Sequence, residues 1–273
     1  MFAPGERDLF CFRNFCCYKG ASDFVTSTSP TTPSRLHDYK QHYRADADYI
    51  EDPGSLSHIR SASERRRLQV IVNRLRLRRD MRVLDLGCGS GWLSDLCAGK
   101  GAQVVACDIA PSGVASARGR YPNAAFYLAT DVYAVGLAEN SFDAVVLSEV
   151  VEHLEDVAAG LQQAARVLRP GGRLIVTVPY RETILQHLCI HCNQLTPANA
   201  HLHTFNQQSL TQLVAATGLR TTTTHVMGNK VLELMRMPHW TRWWPHGLWR
   251  IVDGICNRLT GRAAFLLLEA EKA

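Results

Sequence analysis

The sequence lacks the features that would place it in a membrane or outside the cell. No apolar run approaches the length of a membrane-spanning helix, and the N-terminus has no signal-peptide hydrophobic core. The nine cysteines are odd in number and scattered along the chain, unlike the disulfide framework of a secreted domain. No internal repeat is visible. These absences predict a soluble, cytoplasmic protein.

Aromatic residues are missing from the most basic part of the chain. The net charge is +5, and arginines are concentrated between Arg60 and Arg82. Without interleaved aromatic residues this segment does not resemble a single-strand nucleic-acid groove, so we expect no nucleic-acid partner; an anionic partner is the alternative. Helical spacing predicts an amphipathic helix whose arginines are solvated and whose apolar residues face the core: Leu68, Ile71, Val72 and Leu75.

The length and composition allow one α/β domain with appendages, because 46% of the 273 residues are hydrophobic. Residues 1–33 predict a flexible leader, with an over-extended gene start as the alternative. Cys11, Cys16 and Cys17 lie there without a second ligand pair, so we expect no metal site. Residues 34–80 predict a helical N-terminal cap, and residues 81–273 the folded domain.

Strand and helix patterns alternate after the cap, as a parallel doubly wound sheet requires. We expect Asn206 and Gly218 to bound the helix before strand six. Strands six and seven would close the sheet as a hairpin around a Trp-rich insertion, 235–262. The predicted strands are 82–86, 103–107, 125–129, 144–147, 173–178, 221–226 and 264–269.

A glycine loop follows the first strand. After Asp85, glycines at Gly87, Gly89 and Gly91 alternate with small residues before a helix begins at Trp92. Glycine permits tight turns and close approach of a ligand to the main chain. Such a loop lies at the crevice where open α/β sheets bind nucleotide-like ligands.

The spacing of these glycines indicates the ligand. Dinucleotide enzymes use G-x-G-x-x-G, whereas Trp92 stands where their third glycine would be. Asp85 would repel a pyrophosphate but could pair with an ammonium group. A ligand with a nucleoside end and a cationic amino-acid end, S-adenosylmethionine, fits better than NAD, which weighs against an NAD-dependent oxidoreductase.

The segment from Val83 to Gly91 resembles the first motif of the class I S-adenosylmethionine-dependent methyltransferases, and roughly 200 residues continue to match. The similarity is to type 11/23-like small-molecule methyltransferases. It implies a Rossmann-like, seven-stranded doubly wound sheet with strand seven antiparallel, a helical cap and lid insertions. In the cap, Tyr39, Tyr43 and Tyr49 either line the substrate entrance or pack against the core.

Three carboxylates follow three successive strands. Asp85 and the glycine loop would hold the methionyl end, Asp108 the ribose hydroxyls, and Asp131 the adenine amino group. The alternative for Asp108 and Asp131 is a plain turn or cap. The resemblance implies a donor-binding set that also includes neighbours of these residues: Asp85, Gly87, Cys88, Gly89, Gly91, Asp108, Ile109, Asp131, Val132 and Ser148.

The segment Phe142 to Leu154 resembles the fourth motif of the family and should run along the cleft floor. Glu149 and His153 are its candidate catalytic residues, with His153 as a general base or as a structural residue. No Asn-Pro-Pro-Tyr-like motif follows strand four, which disfavours protein and nucleic-acid acceptors.

A Cys/His set in the insertion 180–205 suggests a metal. Cys189 and Cys192 have knuckle spacing, and His201 and His203 would share one face of an extended segment, which suits tetrahedral Zn²⁺. The alternative is a metal-free lid, and His191 could replace one ligand. A related subset of methyltransferases has a C-x-x-C-G knuckle, but this chain has Asn193 in place of the glycine.

The Trp-rich insertion contains four of the five tryptophans, together with arginines. It is either an interfacial segment at a membrane surface, a lid on an apolar substrate, or a helical cap on the core. The function that we predict is methyl transfer by SN2 displacement to a small-molecule or lipid- or glycan-linked acceptor. The alternative is an S-adenosylmethionine-binding regulatory or scaffold protein without transfer activity.

Overall fold

A seven-stranded sheet forms the centre of the computed structural model, which describes residues 38–48, 58–189 and 193–273. The strand order is β3-β2-β1-β4-β5-β9-β8, and a separate hairpin pairs β6 with β7. The strands are β1 Arg82–Leu86, β2 Gln103–Asp108, β3 Phe126–Ala129, β4 Phe142–Ser148, β5 Leu168–Pro179, β6 Gln186–Leu188, β7 Leu195–Pro197, β8 Leu219–Asn229 and β9 Ala263–Lys272. The predicted Rossmann-like sheet is confirmed.

Helices cover both faces of the sheet and complete the α/β layers. They are α1 Tyr39–Asp48, α2 His58–Leu75, α3 Trp92–Ala98, α4 Pro111–Arg120, α5 Val157–Val167, α6 Gln207–Ala215, α7 Lys230–Leu234, α8 Met237–Trp240 and α9 His246–Thr260. Two short 3₁₀ turns span Val151–His153 and Ala198–Ala200. Within the described residues, no helix is both long enough and apolar enough to span a bilayer.

The first five strands are parallel. The apolar runs of the central strands β1 and β4 are buried, as expected for strands covered by helices on each side, whereas the edge strand β3 is partly exposed. In β4, Val145 and Leu147 join one core cluster, whereas Ala144 and Val146 join the other. The second cluster contains the predicted core-facing residues of α2: Leu68, Ile71, Val72 and Leu75.

The last strand in the chain lies inside the sheet. β9 pairs antiparallel with both β5 and β8, which confirms the predicted antiparallel seventh strand. β5 begins at Leu168, earlier than the predicted Arg173, because Leu168 pairs with Phe142 before an irregularity in the register. Asn206 caps α6 through its side chain, and Gly218 has the positive φ of 83° expected beyond a helix end.

Candidate donor and acceptor site

A cleft of about 580 Å³ opens at the carboxyl ends of the central strands. This is the edge at which open α/β sheets bind ligands. Eight of the ten predicted donor-binding residues line it, together with Glu149, His153 and His201. The eight are Asp85, Gly87, Cys88, Gly89, Asp108, Ile109, Val132 and Ser148.

The glycine loop turns sharply out of β1. The amides of Gly87 and Cys88 both donate to the carbonyl of Cys107 in the neighbouring strand, at 2.7 and 2.8 Å. Gly87 has a φ of 89°, and a Cβ there would lie 2.3 Å from Val150 Cγ2. Both the backbone conformation and the space therefore require glycine at this position.

Asp85 is a buried carboxylate beneath the loop, with 2% of its surface exposed. Ser94 Oγ in the first turn of α3 donates to its Oδ2 at 2.7 Å. Burial raises the pKa of Asp85 to about 6, because the charged form loses its hydration. A cationic ligand group beside this carboxylate would compensate for that loss.

Asp108 at the end of β2 holds the glycine loop in place. Its two carboxylate oxygens accept hydrogen bonds from the amides of Gly89, at 3.0 Å, and Ala110, at 3.1 Å. Burial raises its pKa from the ordinary value. Each oxygen keeps a second acceptor position, so the carboxylate can still accept from a pair of hydroxyls.

Asp131 is bonded to the cap. Tyr39 of α1 donates to Asp131 Oδ2 at 2.7 Å, and the amide of Tyr133 donates to Oδ1 at 3.0 Å. Lys40 Nζ lies 3.4 Å from the same carboxylate. Asp131 and Gly91 are absent from the cleft lining, whereas Val132 belongs to it.

Tyr43 connects the cap to the segment that follows β4. Its hydroxyl lies 3.1 Å from the hydroxyl of Tyr133 and accepts a hydrogen bond from the amide of Glu155 at 2.6 Å. Tyr43 is buried in the core and also lines the cleft. Tyr49 lies outside the described residues.

Arg67 lies in the cleft. The prediction that the arginines of this helix are solvated is therefore wrong for this residue. Only 8% of its side chain is exposed, and its guanidinium donates to Ser148 Oγ at 2.6 Å and Thr177 Oγ1 at 3.2 Å. It also pairs with Glu64 and lies 3.6 Å from Glu149. Glu64 and Arg67 share the helix side of Leu68, so helical spacing alone could have placed them toward the core.

Glu149 belongs to the same polar network. It has a φ of 58°, and its Oε1 accepts a hydrogen bond from Thr177 at 3.1 Å. Burial raises its pKa, although Arg67 opposes the shift. The carboxylate is thus held at the cleft floor by neighbours from α2 and β5.

Glu152, His153 and His201 form a compact group beside the cleft. Their potential metal-ligand atoms all lie within 4.8 Å of one another. Glu152 is fully buried, and within the described chain its carboxylate oxygens have no hydrogen-bond partner beyond the residue itself. Burial lowers the pKa of His153 to about 4, so its imidazole is neutral near pH 7.

The predicted Cys/His metal set is not assembled by the part of the chain that the structure describes. Cys192 and His191 lie outside that part, and Cys189, His201 and His203 do not come within ligand distance of one another as a group. His203 Nε2 donates to the carbonyl of Leu154 at 2.8 Å. His201 Nδ1 is 2.5 Å from Glu182 Oε2, which leaves its Nε2 available.

Comparison with protein families identifies the type of domain. A family model described as a methyltransferase domain matches residues 59–224. A probable S-adenosylmethionine-dependent methyltransferase of Mycobacterium tuberculosis is 38% identical over 155 residues, which cover 56% of this chain and 54% of the relative. A demethylmenaquinone methyltransferase of Beutenbergia cavernae is 43% identical over 95 residues, covering 35% and 39%. The chain thus spans about half, or less, of the length of these curated relatives.

Solved structures share the fold at low identity. An S-adenosylmethionine-dependent methyltransferase from Mesorhizobium loti has a TM-score of 0.55 and 19% identity, covering 78% of this chain and 100% of its own. The [4+2]-cyclase SpnF has a TM-score of 0.59 and 18% identity, covering 90% of this chain and 99% of its own. At these identities the likeness concerns the fold alone.

Proposed function

The chain belongs to the methyltransferase domain family of S-adenosylmethionine-dependent enzymes, and from this premise we propose that its cleft binds the donor and transfers a methyl group to a small-molecule acceptor. The observation that carries the proposal is the meeting of Asp85, the glycine loop and Asp108 at one edge of the sheet.

The donor residues have complementary roles in this proposal. The buried Asp85 carboxylate would pair with the ammonium group, and Asp108 would accept from the ribose hydroxyls. Val132 would contact the adenine, with Asp131 accepting from its amino group. Gly87 lacks the Cβ that would collide with Val150, so the loop can turn closely past that side chain beneath the donor.

S-adenosylmethionine supplies an electrophilic methyl group on a sulfonium. In such a displacement the main contribution of the protein is proximity and orientation. Arg67, Ser148 and Thr177 would hold the cleft floor rigid through their hydrogen bonds. Glu149 and His153 line the cleft and are the groups that we propose can accept a proton from the acceptor.

The acceptor that we propose is a small molecule, free or linked to a lipid or glycan. Relatives named for small-molecule acceptors, the demethylmenaquinone and ubiquinone biosynthesis methyltransferases, support this class. The polar and aromatic lining, which includes Tyr43 and His201, suits an acceptor with both apolar and hydrogen-bonding parts.

We also propose that the group formed by Glu152, His153 and His201 can bind a metal ion. Glu152, His153 and His201 offer the two-histidine, one-carboxylate set that Zn²⁺ accepts. The contact of Glu182 with His201 Nδ1 is the outer-shell bond that orients a ligating imidazole. In zinc titrations of metal-free protein, Glu152→Gln should weaken binding by about tenfold or more, whereas His187→Ala, at an exposed histidine, should not. Equal affinities would contradict the site.

Two measurements test the main proposal. Calorimetry should show S-adenosylmethionine binding and much weaker NAD binding. Cell extract incubated with enzyme and donor should then yield a product heavier by one CH₂ unit, detected by untargeted mass spectrometry. Donor binding without any methylated product would favour the alternative, a donor-binding regulatory or scaffold protein, and tighter NAD binding would contradict both.

A further inference from the structure

The largest concentration of exposed apolar side chains lies far from the glycine loop in sequence. Among the described residues, nine of the thirteen large apolar side chains that are exposed fall between 234 and 259. We call these nine the apolar face. They are Leu234, Met235, Trp240, Trp243, Trp244, Leu248, Ile251, Ile255 and Leu259.

The amphipathicity of α9 is the reverse of that of an ordinary core-packing helix. Its exposed stripe is apolar, because Leu248, Ile251, Ile255 and Leu259 recur at intervals of three and four residues. The side packed against the protein carries the polar Asp253 and Asn257. The sequence therefore places leucine and isoleucine where a helix on a monomeric domain would carry charge.

The buried polar residues fix this orientation. Asp253 accepts a hydrogen bond from the amide of Gly228 at 3.0 Å, and Asn257 accepts one from the side chain of Asn229 at 2.8 Å. Rotating α9 to bury its leucines would break these bonds and leave buried polar groups unsatisfied, which is costly. The apolar face is therefore held outward by the fold.

The insertion is also anchored to α2. The guanidinium of Arg66 lies 3.8 Å from the centre of the Trp249 ring and donates to the carbonyl of Thr241. Arg66 directly precedes the cleft residue Arg67. Helices α8 and α9 thus present the apolar face from a support that is itself part of the cleft wall.

The charges around the apolar face are all of one sign. Within 230–262 both acidic residues are withdrawn from the surface, since Asp253 is buried and Glu233 is partly buried. The exposed charged residues there are Lys230, Arg236, Arg242, Arg250, Arg258 and Arg262. A basic border around tryptophan, leucine and isoleucine complements anionic lipid headgroups above an acyl layer.

We propose that the apolar face docks this protein onto an anionic membrane surface, with α9 lying in the interface plane. Tryptophan is favoured at the level of the headgroups, which matches the exposed Trp240 and Trp243, and the leucine and isoleucine stripe of α9 would insert just below. The proposal concerns surface attachment and is independent of the chemistry in the cleft.

The test uses the full chain and vesicle sedimentation. Phosphatidylcholine vesicles containing phosphatidylglycerol should bind the protein roughly tenfold or more tightly than phosphatidylcholine alone, and high salt should weaken the binding. The triple variant Ile251→Asp, Ile255→Asp, Leu259→Asp should lose this binding. A matched double variant at exposed apolar residues elsewhere, Phe126→Asp with Leu195→Asp, should retain it.

Two further measurements separate membrane binding from loss of folding and from dimerisation. Donor affinity of the triple variant should match that of the wild type, which shows that the fold is intact; a failed donor measurement in the wild type would count against the proposed function alone. Light scattering should show the same mass for wild type and triple variant. A wild-type dimer that the triple variant dissociates, or unchanged vesicle binding by that variant, would overturn the membrane proposal.

Discussion

The donor half of the cleft, which contains Asp85, the glycine loop and Asp108, and the insertion between β8 and β9 both bury polar side chains. They use these side chains for different purposes. At the donor half, carboxylates are buried beneath main-chain amides and left able to meet a ligand. In the insertion, Asp253 and Asn257 are also buried, but Asp253 Oδ2 and the Asn257 amide form hydrogen bonds that hold a helix. The carboxylates of the donor half can still accept hydrogen bonds from a ligand. Asp253 and Asn257 instead hold α9 in place.

This difference shows which buried polar groups are informative about function. Asp85 has one hydrogen-bond donor of its own, Ser94, and a pKa raised by burial, so it gains from a cation. Asn257 has partners on both sides of its amide and gains nothing from a ligand. The position of Asp85 on the lining of the large cleft, more than burial itself, separates the two regions.

The strongest test of the donor half replaces Gly87 by valine. The side chain would overlap Val150 and adopt a positive φ that β-branched residues avoid. We expect donor affinity measured by calorimetry to fall by more than about a hundredfold. The matched control, Gly136→Val, has open space around it and should stay within about twofold. Similar losses in both variants would contradict a specific cradle.

The next test concerns the bridge between cap and cleft. Arg67→Met leaves Glu64 and Glu149, both only partly exposed, without their cation. We expect the free energy of unfolding in urea to fall by about 2–3 kcal/mol. Arg65→Met, two residues earlier on the exposed side of α2, should change it by less than about 0.5 kcal/mol. Equal effects would place Arg67 among ordinary surface residues.

Asp85 predicts a pH dependence of stability. Its pKa is about 6 in the folded chain against an ordinary 3.8, so the folded state holds the proton more tightly. The stability that this group provides is present at low pH and is lost as pH rises from about 4 to about 6. We expect wild type to lose about 2 kcal/mol relative to Asp85→Asn over that interval, measured by urea unfolding. Parallel curves would disprove the raised pKa.

The same titration should affect donor binding. An ammonium group prefers the ionised carboxylate, so wild-type affinity for S-adenosylmethionine should rise as pH increases through about 6. In Asp85→Asn the affinity should be weaker and independent of pH over this range. A pH-dependent variant would assign the effect to Asp108, whose pKa burial also raises.

The smallest effect is expected at Asp131, where the cap residue Tyr39 and the donor would compete for the same carboxylate oxygen. Tyr39 donates to the Asp131 oxygen that could accept from an adenine amino group. Removing the hydroxyl in Tyr39→Phe frees that oxygen, and we expect donor affinity to rise by up to about fivefold, since one hydrogen bond is worth about 1 kcal/mol. A decrease would show that Tyr39 instead positions Asp131 for the ligand.

The predictability of each region follows from how far apart its partners are in sequence. Asp85 and Asp108 lie near the ends of strands and the glycine loop directly follows one, so periodicity and turn residues located them. Arg67 donates hydrogen bonds to Ser148 and Thr177, which lie far from it in the sequence. No local sequence pattern predicts such a contact. The metal set was predicted from cysteine spacing, whereas the observed group combines a 3₁₀ turn with His201.

The central position of β9 constrains the order in which the strands of the sheet can pair. β8 joins the sheet only through β9, so residues 219–229 have no strand partner while residues 263–272 are still inside the ribosome. The outer edge of the sheet, and the packing of α9 against β8 that depends on it, therefore form only after residues 263–272 bridge β5 and β8.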